Sequence, residues 1–226
     1  MISIAIDGPA GAGKSSISKG LSKRLGYIYV DTGALYRATA YTLNKNGTKP
    51  KNDNALECAL KNVEVDIKFI DNEQHVYVNG EDVSDKIRTP EVSMLASSYS
   101  ALPAVRAFLL GLQRGLAKKH NVIMDGRDIG TVVLPDASLK IYLTAKAENR
   151  AERRYKELVE KGVKADYNEV LADIKQRDYN DMHRDVAPLK QADDAVLVDN
   201  TGNNLEQSIE QMLEVIKQKL NVEAAD

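Results

Sequence analysis

The stretch that decides the fold lies close to the amino terminus and reads Gly8-Pro9-Ala10-Gly11-Ala12-Gly13-Lys14-Ser15. It fits the pattern G-x-x-x-x-G-K-S/T of a phosphate-binding loop at every fixed position. The apolar run Ile2–Ile6 before it predicts a buried strand, and Lys14–Leu25 after it repeats apolar residues at helical spacing. A strand, a glycine-rich loop and a helix in this order predict that backbone N–H groups and the positive end of the helix bind the phosphates of a nucleotide.

The residues of this loop have distinct expected roles. Lys14 is expected to reach the β- and γ-phosphates, and the Ser15 hydroxyl to bind Mg²⁺ or a phosphate oxygen. Ser16 supplies a second hydroxyl one residue later, so which serine contacts the metal stays open. The predicted nucleotide-binding residues of the loop are Gly8, Pro9, Ala10, Gly11, Ala12, Gly13, Lys14, Ser15 and Ser16.

Apolar runs and helical patterns alternate along the rest of the chain, which predicts an α/β fold of the P-loop NTPase type with a five-stranded parallel sheet flanked by helices. Further strands are predicted over Tyr27–Val30, Val122–Met124, Lys140–Leu143 and Ala195–Val198. Helices are predicted over Ala34–Leu43, Ala55–Leu60, Glu91–Ser100, Ala104–Lys119, Glu148–Glu160, Asn168–Met182 and Leu205–Leu220. One segment differs, because alternating apolar residues from Val63 to Phe69, a turn at residues 71–74 and a second run His75–Val78 predict an inserted antiparallel hairpin.

The composition limits the classes of function. The chain has 226 residues and a formal net charge of −2, so it has no global attraction to nucleic acid or to an acidic membrane surface. No run approaches the ~20 apolar residues of a membrane span. The single cysteine, Cys58, suits a reducing compartment and is expected to be a small core residue of its helix. We therefore expect a cytoplasmic protein that binds small molecules, and neither nucleic acid nor a membrane. We also expect a monomer, although nothing in the composition determines the oligomeric state.

Acids and arginines follow two of the predicted strands. The segment Asp31-Thr32-Gly33-Ala34-Leu35-Tyr36-Arg37 comes after the second strand, and Asp125-Gly126-Arg127-Asp128 comes after a later one. Both therefore lie at the carboxyl edge of the predicted sheet, where ligands bind in open α/β folds. Asp125 is placed to orient Mg²⁺ or its water shell, while Arg37 and Arg127 are candidates to bind a second anion.

Two later helices carry further charged residues. Arg177, Asp181 and Arg184 are spaced to share one helical face, and Arg150–Arg154 places three arginines in one turn. Phosphoryl transfer brings two anions together and requires their developing charge to be neutralised, which arginines do through planar contacts. For Arg150–Arg154, pairing with neighbouring glutamates is an equal alternative.

Five motifs resemble those of the bacterial-type cytidylate kinases, which are nucleoside monophosphate kinases of the P-loop class. The motifs are residues 6–14, Asp31–Arg37, Ile87–Val92, Asp125–Val133 and Arg177–Arg184, the last closed by Ala187-Pro188-Leu189. The resemblance runs from about Ile2 to Asn200. It implies an ATP-dependent transferase of pyrimidine nucleotide metabolism, which phosphorylates CMP or dCMP with Mg²⁺ bound to ATP. A kinase for another acceptor, such as UMP or a non-nucleotide hydroxyl, and a non-enzymatic P-loop nucleotide-binding regulator are the alternatives.

The resemblance also implies a domain organisation and a role for each matching residue. It implies one domain over residues 1–226, with a core of about 1–61, 103–145 and 185–226, an inserted monophosphate-binding region of about 62–102 and a short helical lid of about 146–166. The implied CMP-binding residues are Asp31, Thr32, Tyr36, Arg37, Arg88, Ser97, Arg106, Arg127, Asp128, Arg177, Asp181 and Arg184. The implied catalytic residues are Lys14, Asp125, Arg127, Arg154 and Arg184.

Within the implied CMP site, the resemblance divides the contacts by the part of the acceptor. Arg37, Arg127 and Arg184 would hold the α-phosphate, and Arg177 and Asp181 the sugar. Ser97, Arg106 and Asp128 would read the cytosine. Arg150, Arg153 and Arg154 would bind ATP from the lid, opposite the loop Gly8–Ser16.

Overall fold

The structure is a computed structural model and describes residues 1–70 and 73–222. Helices α1 to α8 span Lys14–Leu25, Thr32–Lys45, Asn54–Leu60, Pro90–Ser100, Pro103–Lys119, Ala147–Glu160, Tyr167–His183 and Leu205–Leu220. Strands β1 to β8 span Ser3–Asp7, Ile28–Asp31, Val65–Ile70, Glu73–Val78, Glu81–Asp82, Val122–Gly126, Leu139–Thr144 and Val196–Asp199. Every helix and strand predicted from the sequence is present, and no end differs from its predicted position by more than two residues.

The large sheet has the strand order β2-β6-β1-β7-β8, which confirms the predicted five-stranded sheet. The registers of β1 with β6, β1 with β7 and β7 with β8 are parallel. Strand β1 lies at the centre, and its residues Ile4, Ala5 and Ile6 are fully buried. Because Ile6 is opposite Asp125 and Asp7 is opposite Gly126, β1 and β6 end side by side. The phosphate-loop sequence and the Asp125–Asp128 segment therefore start next to each other.

The chain divides into two compact units, which are Val30–His120 with Met1, and Ile2–Tyr29 with Asn121–Asp226. The unit that carries the phosphate loop packs α1 and α8 against the sheet around Ile17, Leu21 and Met212. The other unit has a core of its own around Leu35, Leu56 and Tyr99. Each unit thus buries its own apolar cluster.

The predicted antiparallel hairpin is confirmed. Strands β3 and β4 pair from Val65 opposite Val78 to Ile70 opposite Glu73, and the short β5 adds a third strand. The predicted turn falls partly on Asp71 and Asn72, which lie outside the described residues. The alternation in β3 arises because the half-buried Val65 and Ile67 pack against the core of their unit, while Asp66 and Lys68 between and after them are exposed. The paired strand β4 buries Val76 and Val78.

The expectation that Cys58 is a core residue is wrong, since its side chain is exposed. Helix α3 buries Leu56 and Leu60, which lie four residues apart and so share one face. Cys58 is two residues from each of them, and therefore points away from that face.

Among the described residues no single helix is long and apolar enough to cross a membrane. The pair α4 and α5, bent by 101°, meets the length and composition requirements together. Both helices place residues in the core of their unit, including Val92, Tyr99, Val105 and Leu109.

Candidate active site

The phosphate-loop sequence forms a tight connection between β1 and α1. An added Cβ at Gly8 would lie 1.9 Å from the carbonyl oxygen of Leu143, so only glycine fits where the loop leaves the sheet. Gly13, the residue before α1, has φ 89°, which glycine adopts without strain. The backbone of the loop therefore leads directly into the amino-terminal end of α1, where unpaired N–H groups favour the binding of an anion.

Lys14 is buried inside this loop. Its Nζ donates to the carbonyl oxygens of Gly8 and Pro9 at 2.7 and 2.8 Å. Burial, with a smaller contribution from the positive charge of Arg127, lowers the pKa of the Lys14 ammonium well below its ordinary value. The carboxylates of Asp125, Asp181 and Asp7 offset only part of this effect. A bound polyphosphate would add negative charge and favour the ammonium, so the site is electrostatically suited to such a ligand.

Two buried side chains donate hydrogen bonds to backbone carbonyl oxygens of the phosphate loop. The Arg150 guanidinium donates to Ala10 O at 2.8 Å and to Ala145 O at 2.9 Å, and it pairs with the carboxylate of Asp178 at 2.6 Å. The Asn200 amide donates to Ala12 O at 3.0 Å. Because these contacts engage the loop carbonyls, they fix the backbone conformation of the loop.

A hydroxyl and a carboxylate meet where the loop enters α1. Ser15 Oγ donates to Asp125 Oδ2 at 2.9 Å, and the Tyr29 hydroxyl donates to Asp125 Oδ1 at 3.0 Å. Ser16 is exposed on the same helix. Among the described residues no group of three or more His, Cys, Asp or Glu side chains could hold a metal ion. Ser15 and Asp125 nevertheless fit Mg²⁺, which prefers oxygen ligands and usually keeps phosphate and water in its remaining positions.

Two ion pairs join the segment after β6 to the end of α7. Arg127 Nε donates to Asp181 at 2.7 Å, and Arg184 pairs with Asp128 at 3.3 Å. Asp128 is buried with 4% of its surface exposed. Four of the residues predicted to bind the acceptor thus form one cluster of two cations and two carboxylates.

The prediction that Arg177, Asp181 and Arg184 share one helical face is wrong for Arg184. Helix α7 ends at His183, and Arg184 has the extended backbone angles φ −68° and ψ 143°. The chain then turns back, so that Arg184 Nε donates to Ala187 O at 2.7 Å. Arg184 therefore reaches Asp128 from the segment that follows the helix.

The chain matches the cytidylate kinase family model over residues 4–218. It belongs to the cytidylate kinase family. The cytidylate kinase of Caldicellulosiruptor saccharolyticus is 54% identical over 215 residues, which cover 95% of each chain. Those of Caldicellulosiruptor bescii and Streptococcus mutans are 52% and 50% identical, and cover 95% and 89% of each chain. The resemblance inferred from the motifs is thereby confirmed.

Solved structures with low sequence identity share the fold. An uncharacterized protein from Eubacterium ventriosum matches with a TM-score of 0.55 at 11% identity, over 96% of this chain and 99% of that one. A gluconokinase from Sinorhizobium meliloti matches with a TM-score of 0.51 at 14% identity, over 97% and 94% of the two chains. At such identity these matches show the fold of this cytidylate kinase family member and nothing about its substrate.

Apart from Arg177, the remaining acceptor residues predicted for a cytidylate kinase lie in the unit Val30–His120. Asp31 Oδ2 accepts a hydrogen bond from Arg37 at 2.9 Å. The Arg106 guanidinium is buried, lies 5.5 Å from the ring centroid of Tyr36 and donates to Ser100 O. Further predicted residues in this unit are the buried Thr32, the half-buried Ser97 and the exposed Arg88.

The three arginines of α6 have different surroundings. Arg150 is buried in the contacts described above, and Arg153 donates to the carbonyl oxygens of Asn200 and Asn203 at 2.8 and 3.0 Å. Arg154 is half-exposed and pairs with Glu157 at 3.1 Å. Arg177 on α7 is exposed. The ATP-binding and sugar-binding roles of these arginines stay predictions.

Asp7, the last residue of β1, is a further residue of the site to which the sequence pattern assigned no role. Its carboxylate is buried and accepts hydrogen bonds from the backbone N–H groups of Ile129 and Gly130, both at 2.7 Å. Burial raises the pKa of Asp7 to about 6. These two residues begin a π-helical turn directly after Asp128, so Asp7 fixes the segment that carries the acceptor cluster. The only signal in the sequence is an acid at a strand end.

We predict that replacing Arg150 with methionine lowers the free energy of unfolding by about 3 kcal/mol, because Asp178 is left in a mostly buried position without its cation. Urea unfolding followed by circular dichroism measures the change. The matched control is Arg154→Met on the same helix, where an exposed ion pair contributes less than about 1 kcal/mol. Equal effects of the two substitutions would contradict the anchoring role of Arg150.

Proposed function

We propose that this chain transfers the γ-phosphate of ATP to CMP or dCMP, giving ADP and CDP or dCDP. The observation that carries the proposal is the cluster of Arg127, Asp128, Asp181 and Arg184 beside a phosphate loop, in a chain that belongs to the cytidylate kinase family. Phosphoryl transfer requires that two anions, the phosphates of ATP and the phosphate of the acceptor, are bound close together. The phosphate loop can bind the first, and Arg127 and Arg184 can bind the second.

The donor side would hold ATP through the loop Gly8–Ser16. Lys14 would leave its carbonyl partners and bind the β- and γ-phosphates, which stabilises the charge of the transferred group. Mg²⁺ bound with ATP would neutralise phosphate charge, with Ser15 and Asp125 holding it or its water shell. Ser15 is preferred to Ser16, because the Ser15 hydroxyl already contacts Asp125.

The acceptor would be bound by positively and by negatively charged side chains of the cluster. Arg37, Arg127 and Arg184 would bind the α-phosphate of CMP, which places its oxygen for attack on the γ-phosphorus. Asp128 would accept a hydrogen bond from the cytosine amino group. Arg184 pairs with Asp128 at 3.3 Å and so helps to hold this carboxylate in place.

Residues 146–166 are proposed to act as a lid within a single nucleoside monophosphate kinase domain. The region contains α6, whose Arg153 and Arg154 would contact the ATP phosphates when the lid closes. Closure excludes water, which would otherwise accept the phosphate. Residues 62–102 are proposed as the monophosphate-binding insertion.

An acceptor panel tests the proposed function. ADP release from ATP and Mg²⁺ is measured with CMP, dCMP, UMP, AMP and no acceptor. We expect turnover that depends on the acceptor, with CMP and dCMP giving the highest kcat/KM. Turnover with UMP above CMP would assign another pyrimidine acceptor, and ADP release independent of any acceptor would contradict kinase activity.

A further inference from the structure

The side chain of Gln74 in strand β4 makes two hydrogen bonds to the backbone of one residue, Asp31. Gln74 Oε1 accepts from Asp31 N at 2.8 Å, and Gln74 Nε2 donates to Asp31 O at 3.2 Å. The amide thus pairs with Asp31 as a neighbouring strand would, using a donor and an acceptor together. Both residues belong to the unit Val30–His120.

Asp31 in turn controls the start of α2. Its Oδ1 accepts from the backbone N–H of Ala34 at 2.9 Å and caps the helix. Its Oδ2 accepts from the Arg37 guanidinium at 2.9 Å. One carboxylate therefore sets both the first turn of α2 and the direction of Arg37.

Arg37 keeps bonding capacity for an anion. Its Nε is buried and has no hydrogen-bond partner among the described residues. Since an unsatisfied buried donor is costly, an acceptor that reaches this nitrogen is favoured. A phosphate oxygen of the acceptor nucleotide meets that requirement, and the guanidinium then bridges the phosphate and Asp31.

We infer that Gln74 is a positioning residue for the acceptor phosphate, acting through Asp31 on Arg37. The hairpin β3–β4 then contributes to binding of the acceptor, because its Gln74 fixes the backbone of Asp31, and Asp31 orients Arg37. The inference rests on the proposed function, and adds a residue that does not itself touch the substrate.

The first test replaces Gln74 with methionine, which keeps the length of the side chain and removes both hydrogen bonds. We expect the KM for CMP to rise roughly tenfold, from the loss of two neutral hydrogen bonds, while the KM for ATP stays unchanged. Glu73→Ala, an exposed position one residue earlier in β4, is the matched control and should leave both KM values unchanged. An equal rise of the KM values for CMP and ATP would overturn the inference.

A double-mutant cycle separates positioning from simple support of the hairpin. In an Arg37→Met background, Gln74→Met should raise the KM for CMP no further, because the residue through which it acts is gone. A further tenfold rise in that background would overturn the inference. Should Gln74→Met fail to fold by circular dichroism, Gln74→Glu retains the acceptor for Asp31 N and loses only the donor. The same cycle then applies to that variant, with the same two outcomes.

The wild-type protein is assayed beside the variants. Absence of CMP turnover in the wild type would contradict the proposed function. If the wild type prefers another monophosphate, the cycle is run with that acceptor, and the expected rise in its KM is the same. Failure of the positioning role appears only in the variants.

Discussion

Replacing Lys14 with alanine should lower kcat by about 10²–10³-fold and leave the fold intact. The ammonium is the positive charge held inside the phosphate loop, and removal of one such stabilising group costs roughly this factor. Folding should survive, because the substitution removes a buried charge whose desolvation is unfavourable. Turnover with saturating ATP and CMP, measured together with circular dichroism, checks both expectations.

The matched control is Lys23→Ala, an exposed lysine of the same helix α1. It should leave kcat within about twofold of the wild-type value, because a substitution at an exposed position outside the site changes the stability of the protein little and removes no group from the phosphate loop. Retention of more than about a tenth of the wild-type kcat by Lys14→Ala would contradict the role assigned to the loop.

The phosphate loop and the parallel sheet could be predicted because the sequence signals that specify them lie in residues close together along the chain. Eight consecutive residues specify the phosphate loop, and the alternation of apolar runs with helical patterns specifies the parallel sheet. Asp7 could not be assigned in this way, because its partners Ile129 and Gly130 lie 122 and 123 residues further along the chain. Gln74 and Asp31 are likewise 43 residues apart, and no sequence pattern joins them.

Replacing Asp128 with alanine should lower kcat/KM for CMP and narrow the preference for CMP over UMP. A carboxylate only accepts hydrogen bonds, so it favours the amino group of cytosine and repels the carbonyl oxygen of uracil at the same position. The narrowing should amount to about 1–3 kcal/mol, the contribution of one charged hydrogen bond. Steady-state kinetics with both nucleotides give the ratio.

Because Asp128 pairs with Arg184, the ratio of kcat/KM for CMP to kcat/KM for UMP is more informative than the loss of activity with CMP alone. Removing Asp128 also takes away the ion-pair partner of Arg184, whose guanidinium is assigned to the α-phosphate, and that effect is common to CMP and UMP. A fall by the same factor for both nucleotides would therefore mean that Asp128 only positions Arg184. Asp185→Ala, an exposed neighbour of Arg184, is the control and should change neither value.

The arginines show where sequence patterns stop being informative. Spacing alone placed Arg184 on α7, whereas the helix ends one residue earlier and the extended chain carries Arg184 to Asp128. Spacing also grouped Arg150 with Arg154, although the first is 4% exposed and the second pairs with Glu157 at the surface. Burial and distant partners distinguish such residues, and both depend on the tertiary fold.

The most direct test of the proposed function is to follow the γ-phosphate itself. The protein is incubated with γ-labelled ATP, Mg²⁺ and CMP, and the labelled products are separated and counted. We expect the label in the β-phosphate of CDP, with one CDP formed for each ADP. Label that appears only as inorganic phosphate, or that stays in ATP when CMP is present, would contradict the proposed transfer to CMP.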